Sequence, residues 1–346
     1  MIKLEEKESR YMKAAVFDGK ALKIREKEVP KINKDQVLIK VKAVGICGTD
    51  LAIIDGTLPV QPPIIPGHEF SGEVIEIGEN VDDFWLNKRV TSEINTELDF
   101  NCYYCSKKMH SQCISRKALG IDKDGALAEY LATESYLLHE IPKEISFEQA
   151  TFIEPLAAAY QTFEMMPIEE EDHFVAIFGM GKLGLLISQI VLNEGLYLIA
   201  IDGSEKKLEL AKEFGAQHLI NRNECKNIPE TIRELTNGVG ADIVIDATGN
   251  PNVMNDLIDS CRARGKIHVK STHGMNLKIN ITDLVVREIK IFTSRCGPFT
   301  KAIQALKSKK IEVDPLISAK YSLDDIKLAF ENYKKERDHV KSIIIF

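Results

Sequence analysis

Phe174-Val-Ala-Ile-Phe178 runs directly into Gly179-Met-Gly-Lys-Leu-Gly184; an apolar stretch follows to Glu194, and a second run, Leu196–Ile201, stops at Asp202. A GxGxxG pattern alone is weak. Between a strand and a helix, with an acid closing the next strand, it is a dinucleotide fingerprint. Gly179 permits the tight turn, Gly181 the approach of a pyrophosphate, and Gly184 the packing of helix on strand. Lys182 and Leu183 open that helix, whose N-terminal amides and dipole favour phosphate. Asp202 is expected to accept hydrogen bonds from ribose hydroxyls and to repel a 2′-phosphate, which selects NAD. Its bland alternative is a helix-capping acid, and Lys206 and Lys207 leave NADP open.

The rhythm around this motif divides the chain. Ser204 is a fitting N-cap for Glu205–Phe214, which Gly215 closes. Asp242–Thr248, Lys266–Val269 and Ile289–Phe292 continue the series of apolar runs, and Thr248, ending the first, and Ser271, two residues past the second, are assigned to the cofactor site. Strands alternating with helices of this length imply an α/β domain with a parallel, doubly wound sheet. Up to about residue 150 the runs are short and strand-like, as in Val37–Val44 and Gly72–Ile77, with Gly and Pro between them. That half reads as a mostly β, barrel-like domain. The end of the chain, Leu323–Lys335 and then Ser342–Phe346, reads as a helix and a last strand returning to the first domain. The expected division is 1–155, 156–297 and a returning segment 298–346. With 346 residues, two domains are the natural expectation.

Composition excludes several classes. A net charge of −7 argues against a nucleic-acid footprint. No apolar run approaches the roughly 18 residues of a membrane helix. The first ten residues are charged and lack an apolar signal core, which predicts a cytoplasmic protein with a short solvated extension or an artefactual start over residues 1–11.

The first half carries metal chemistry. Val44-Gly-Ile-Cys-Gly-Thr-Asp50 puts Cys47 on a glycine-flanked turn, and Gly67-His-Glu-Phe70 supplies an imidazole and a carboxylate. Zinc at a catalytic site takes about three such ligands and keeps one position open. The spacing suits two backbone turns converging, not one helix face. Seven cysteines form an odd set, with three at 102, 105 and 113, which reads as metal binding in a reducing compartment rather than a disulfide framework.

These strings resemble the medium-chain zinc-dependent alcohol and polyol dehydrogenases, whose hallmark segments read much like Gly45-Ile-Cys-Gly-Thr-Asp50 and Pro66-Gly-His-Glu69. The resemblance runs from about Met12 to the end. It implies a GroES-like β-barrel catalytic domain beside a Rossmann domain, and hydride transfer between an alcohol or polyol and NAD with zinc polarising the substrate oxygen. Phe152-Ile-Glu-Pro-Leu156 resembles the sorbitol and threonine dehydrogenase branch. That branch implies Cys47, His68 and Glu69 as ligands and Glu154 as a near or exchanging one; a first-turn capping acid on Leu156–Glu164 is the bland alternative for Glu154. Thr49 matches the hydroxyl that carries the alcohol proton, and Asp50 the carboxylate orienting the bound imidazole. Cys102, Cys105 and Cys113 match three ligands of the family's structural zinc lobe, near 95–118, and Asp99 stands where the fourth is expected. Where many relatives carry a relay histidine the chain has Ala52, so the substrate is not readable. The partners implied are a small alcohol, polyol or carbonyl compound and further copies of the chain, as a dimer or tetramer. Two rivals are a zinc-free quinone or enoyl reductase on the same fold and a non-catalytic NAD-binding sensor; the intact ligand set opposes both.

Overall fold

The computed structural model describes residues 11–272 and 274–346. The N-terminal extension discussed above lies, but for Tyr11, outside the described residues. The chain forms two compact units: Met1–Phe152 with Ala319–Lys334 and Lys341–Phe346, and Ile153–Ser318 with Lys335–Val340.

The second unit is built on six parallel strands. Phe174–Phe178 lies at the centre, flanked on one side by Tyr197–Asp202 and His218–Asn221 and on the other by Ala241–Asp246, Cys261–Val269 and Lys290–Thr293. Val175, Ile177, Leu198, Ile199, Ile243 and Val244 are all fully buried. Such two-sided burial explains why these strands read as unbroken apolar runs rather than alternating ones. Chain order reverses between Phe174–Phe178 and Ala241–Asp246, and ligands of open α/β sheets bind at the carboxyl ends beside such a switch. Ser204 caps Glu205–Glu213 by accepting from the Lys207 amide at 3.2 Å, and Gly215 follows with φ +111°. These are the start and stop expected of the sequence.

The first unit is mostly β. Gln36–Gly45 pairs antiparallel with Glu69–Ile77 on one edge, and with Tyr130–Glu134 and Lys341–Ile345 on the other. Arg89–Ser92 and Leu138–Glu140 extend the sheet beyond Glu69–Ile77. Ile39, Val41, Val44, Phe70, Val74 and Leu131 share one core with Phe330 of helix Ile326–Lys335. The last strand therefore places Lys341 directly beside the strand that ends at Gly45.

Several element bounds differ from the expectation. Residues 298–318 and 335–340, assigned above to the returning segment, stay in the second unit, and the return begins at Ala319. Helix Phe299–Lys307 buries Phe299, Ala302, Ala305 and Leu306, and a Cβ at Gly297 would stand 1.9 Å from the Ala157 carbonyl oxygen. That close seat on helix Ile153–Met165 holds the segment where it is. The same helix starts three residues before the expected Leu156, because Pro155 falls in its first turn, where no amide donor is needed. No helix among the described residues is long and apolar enough to cross a membrane.

Candidate active site and metal centres

Cys47 caps the seven-residue helix Gly48–Ile54. Asp50, fully buried three residues on, is the hub of the site. Its Oδ2 accepts from the Cys47 amide at 2.8 Å and its Oδ1 from the Gly67 amide at 3.0 Å, so one carboxylate ties together the two turns that the sequence separates. Oδ1 also stands 3.6 Å from Nδ1 of His68. This is too long for a good hydrogen bond, and Nδ1 has no other partner. Gly67 has φ +99°, and a Cβ there would stand 2.9 Å from the Leu127 side chain, so only glycine lets the chain turn His68 inward.

Cys47, His68 and Glu69 bring ligand atoms within 4.8 Å of one another. Sulfur, imidazole nitrogen and carboxylate oxygen at that separation suit a zinc ion with an open position. Burial would lower the His68 pKa, but the Asp50 carboxylate and the Cys47 sulfur outweigh it and hold the value well above the ordinary imidazole range. A buried imidazole drawn to protons by the groups that face it is drawn to a cation for the same reason. Thr49 Oγ1 lies 3.7 Å from the Cys47 sulfur, which puts the hydroxyl at the metal side of the turn. Ala52 is half-buried on the same helix and has no side chain with which to relay a proton.

Sequence reasoning missed Lys341. It is fully buried and ion-paired with Glu69, and its Nζ sits 4.7 Å from the centre of the Phe152 ring. A Cβ at Gly45 would fall 2.1 Å from that Nζ, so Gly45 exists as much to admit Lys341 as to turn the chain. The available signal was a lone cation opening the otherwise apolar end of the chain. A carboxylate has about four lone-pair sites, enough to serve a lysine and a metal together.

The second cluster brings Asp99, Cys102, Cys105 and Cys113 within 4.8 Å of one another. Asp99 Oδ1 accepts from the amides of Asn101 and Cys102, both at 2.9 Å, and Oδ2 from the Ser115 hydroxyl at 3.0 Å. The two backbone bonds hold its carboxyl well below the usual range. Burial pushes the Cys105 thiol up to about 12, whereas the backbone amides of Cys105 and Ile114 lower Cys102. Three sulfurs and one carboxylate oxygen supply four donors, the number and kind that a structural zinc takes.

Glu154 sits at the second position of helix Ile153–Met165 in the second unit. Beside it in the chain, the cofactor residues gather at the carboxyl ends of the parallel strands. Gly179 has φ +96°, and a Cβ at Gly184 would fall 1.8 Å from the Gly179 oxygen, so turn and helix touch through hydrogen alone. Gly181 caps the helix that Lys182 and Leu183 begin. Asp202 Oδ2 accepts from the Met180 amide at 2.7 Å and Oδ1 from the Ser204 amide at 2.8 Å. It thus braces the glycine turn as well as closing its strand. Thr248 bonds Asp246 at 2.7 Å, and Ser271 accepts from the Gly249 amide at 2.7 Å, which joins the ends of two adjacent strands.

A parallel sheet with a glycine phosphate turn in one unit and a Cys–His–Glu cluster in the other suit a metal-dependent dehydrogenase, and comparison with known proteins agrees. Residues 33–143 match the alcohol dehydrogenase GroES-like domain family and residues 183–308 the zinc-binding dehydrogenase family. Sorbitol dehydrogenase of Halalkalibacterium halodurans is 32% identical over 317 residues, covering 90% of this chain and 92% of that protein. Among solved structures, an alcohol dehydrogenase from Escherichia coli CFT073 complexed with NADH superposes with a TM-score of 0.91 at 26% identity, covering 98% of this chain and 100% of that one. A zinc-binding dehydrogenase from Sinorhizobium meliloti 1021 bound to NADP gives 0.89 at 28%, with coverage of 98% and 100%. The chain belongs to the medium-chain zinc-dependent alcohol and polyol dehydrogenases, with a GroES-like domain and a Rossmann domain, and is an oxidoreductase.

Proposed function

We propose that the protein oxidises the CH–OH group of a small polyol or secondary alcohol, or runs the reverse reduction, with NAD as hydride carrier and Cys47, His68 and Glu69 as the zinc ligands. The convergence of those three side chains on one point carries the reading. Zinc supplies Lewis acidity toward an alcohol or carbonyl oxygen. Asp50 holds both backbone turns, and its Oδ1 faces Nδ1 of His68 at 3.6 Å. Thr49 takes the hydroxyl proton, and in place of the absent relay histidine the proton leaves through water or the ribose. Glu69, anchored by Lys341, completes the donor set, and Glu154 serves as an exchanging ligand, the role the sorbitol dehydrogenase branch suggests. Asp202 accepts the ribose hydroxyls, the Gly179–Gly184 turn with Lys182 and Leu183 receives the pyrophosphate, and Thr248 and Ser271 flank the carrier at the strand ends.

Asp99, Cys102, Cys105 and Cys113 hold a structural zinc. The protein works as a homo-oligomer in the cytoplasm. Three cysteines gathered in one four-donor cluster, rather than spread over a disulfide framework, support a reducing compartment. Among the described residues Lys290–Thr293 pairs on one side only, and Ile291, Val285 and Val286 are exposed, which supports self-association, because such an edge invites a second copy.

Elemental analysis of protein purified without chelators, paired with NAD reduction on a panel of polyols, secondary alcohols and amino alcohols, tests the reading. Wild type should carry about two zinc ions per chain, matching one catalytic and one structural site. Cys47→Ser should lose one of them together with all turnover, and Cys105→Ser the other together with thermal stability. Zinc-free protein that still turns over would end the proposal.

A further inference from the structure

Lys270 directly follows the strand Cys261–Val269 and is only 8% exposed. Its Nζ donates to the Ala158 carbonyl at 2.8 Å, to the Ser294 hydroxyl at 2.8 Å and to the Ser294 carbonyl at 3.3 Å. These three acceptors use all the protons of an ammonium, and none of them is charged. Among the described residues no carboxylate comes within ion-pair distance of it. Lys266, four residues earlier on the same face of the strand, is as deeply buried, but its ammonium meets Asp172 at 2.6 Å and Glu169 at 3.4 Å. One lysine is neutralised and the other is not.

The charge is present and is not shared. Burial pulls the Lys270 amine down to about 8, while Glu154 and Cys296 act through space to raise it, so at neutral pH it is mainly an ammonium. His268 shares the Ser294 hydroxyl, with Nε2 at 3.0 Å, but burial and Lys270 push its pKa down to about 3, and the ring is neutral. A buried cation without a carboxylate beside it costs free energy that a neutral side chain would avoid. Its place in the sheet gives the charge a use. A doubly wound sheet takes one nucleotide on each side of its switch point. Asp202 marks the side of Tyr197–Asp202 for the adenosine ribose, and the Gly179–Gly184 turn takes the pyrophosphate at the centre. The nicotinamide half then falls across the ends of Ala241–Asp246, Cys261–Val269 and Lys290–Thr293, where Thr248, Lys270 and Ser294 stand. Lys270 ends the strand two places from the central one, about 10 Å across at the usual strand spacing.

We propose that Lys270 is a fixed positive charge that sets the redox poise of the bound carrier, by disfavouring the cationic nicotinamide of NAD⁺ against the neutral dihydronicotinamide of NADH. The inference rests on the dinucleotide reading of the Gly179–Gly184 turn. Hydride transfer brings two electrons and one proton to the ring, which removes its positive charge and with it the repulsion. Bound NAD⁺ is thereby the stronger oxidant, which favours the CH–OH direction. A unit charge about 10 Å away, at an effective dielectric of about 20, changes the ratio of the two affinities on the order of tenfold. For a two-electron couple that is about 30 mV.

Calorimetric titration of the purified chain with NAD⁺ and with NADH at pH 7, on wild type, Lys270→Gln and Lys270→Arg, tests this. Wild type should bind NADH at least about tenfold tighter than NAD⁺. Lys270→Gln keeps a donor for the same oxygens and loses the charge, so the ratio should fall by about tenfold, chiefly through tighter NAD⁺. Lys270→Arg keeps the charge and should keep the wild-type ratio; Lys270→Met is a second neutral variant if the amide does not fold. A neutral variant with the wild-type ratio and both carriers weakened alike overturns the proposal, since Lys270 then only ties helix Ile153–Met165 to the segment after Lys290–Thr293. Equal affinities for the two carriers in wild type overturn it without any variant. If neither carrier binds, the dinucleotide reading itself falls, and the proposal with it.

Discussion

Asp50 shows how one side chain can organise a site without touching substrate. Its oxygens hold the Cys47 amide, the Gly67 amide and the approach of His68, so donors twenty-one residues apart meet because one buried carboxylate is shared between their turns. Replacing Asp50 by Asn keeps the shape but turns one of its two accepting oxygens into a donor that faces an amide already donating. Zinc affinity should drop by about 10–100-fold, the range for residues that orient ligands, and competition with a fluorescent chelator would register it. Glu154→Gln should behave differently. If the residue exchanges on the metal, activity falls on the order of a hundredfold while zinc stays bound. A residue that only favours the helix N-terminus would cost at most about 1 kcal/mol of stability and leave kcat unchanged, which ends the ligand reading. Measuring zinc content, kcat and Tm on the one variant separates the two roles.

Among the elements, the turn and helix at Gly179–Gly184 have the least tolerance. At Gly184 a methyl group would lie 1.8 Å from a backbone oxygen, and backbone cannot step aside as a flexible side chain can. Gly184→Ala should therefore open the turn or shift helix Lys182–Asn193, weakening dinucleotide binding by about tenfold or more and lowering Tm, an overpacking cost of about 1–3 kcal/mol. Calorimetry with carrier titration checks it, and wild-type affinity in the variant would show that the helix does not need its seat. By contrast, a Cβ at Gly181 meets nothing within 4 Å, so that glycine is kept for a ligand's approach rather than for the fold. The two glycines of one motif thus answer to different demands.

For the whole molecule, the open edge of the parallel sheet matters most. Among the described residues Lys290–Thr293 pairs on one side only, and Ile281, Val285 and Val286 stand exposed in the preceding helix. An apolar edge of this kind is a liability in a monomer and an asset in a symmetric oligomer. Ile291→Lys should shift the protein toward monomer in sedimentation equilibrium while each chain keeps its far-UV circular dichroism. An unchanged association state would place the interface elsewhere.

Much of this was legible in the chain itself because the signals are local. A strand running into GxGxxG and then Asp202 can be satisfied by few backbones, and Ser204 and Gly215 mark the bounds of their helix by cap chemistry that needs no distant partner. Cys102, Cys105 and Cys113, bunched in an odd set of seven cysteines, announce metal binding. Other features depend on residues far apart in sequence, and only the folded chain decided them. Lys341 meets Glu69 because Lys341–Ile345 pairs with Gln36–Gly45, a register no local pattern specifies. Residues 298–318 stay with the second unit because Gly297 lets one helix close on another, a matter of a missing Cβ rather than of hydrophobic period. Composition and period determine which elements form; long-range pairing and steric fit decide which side chains share a point in space, and at that point the chemistry is set.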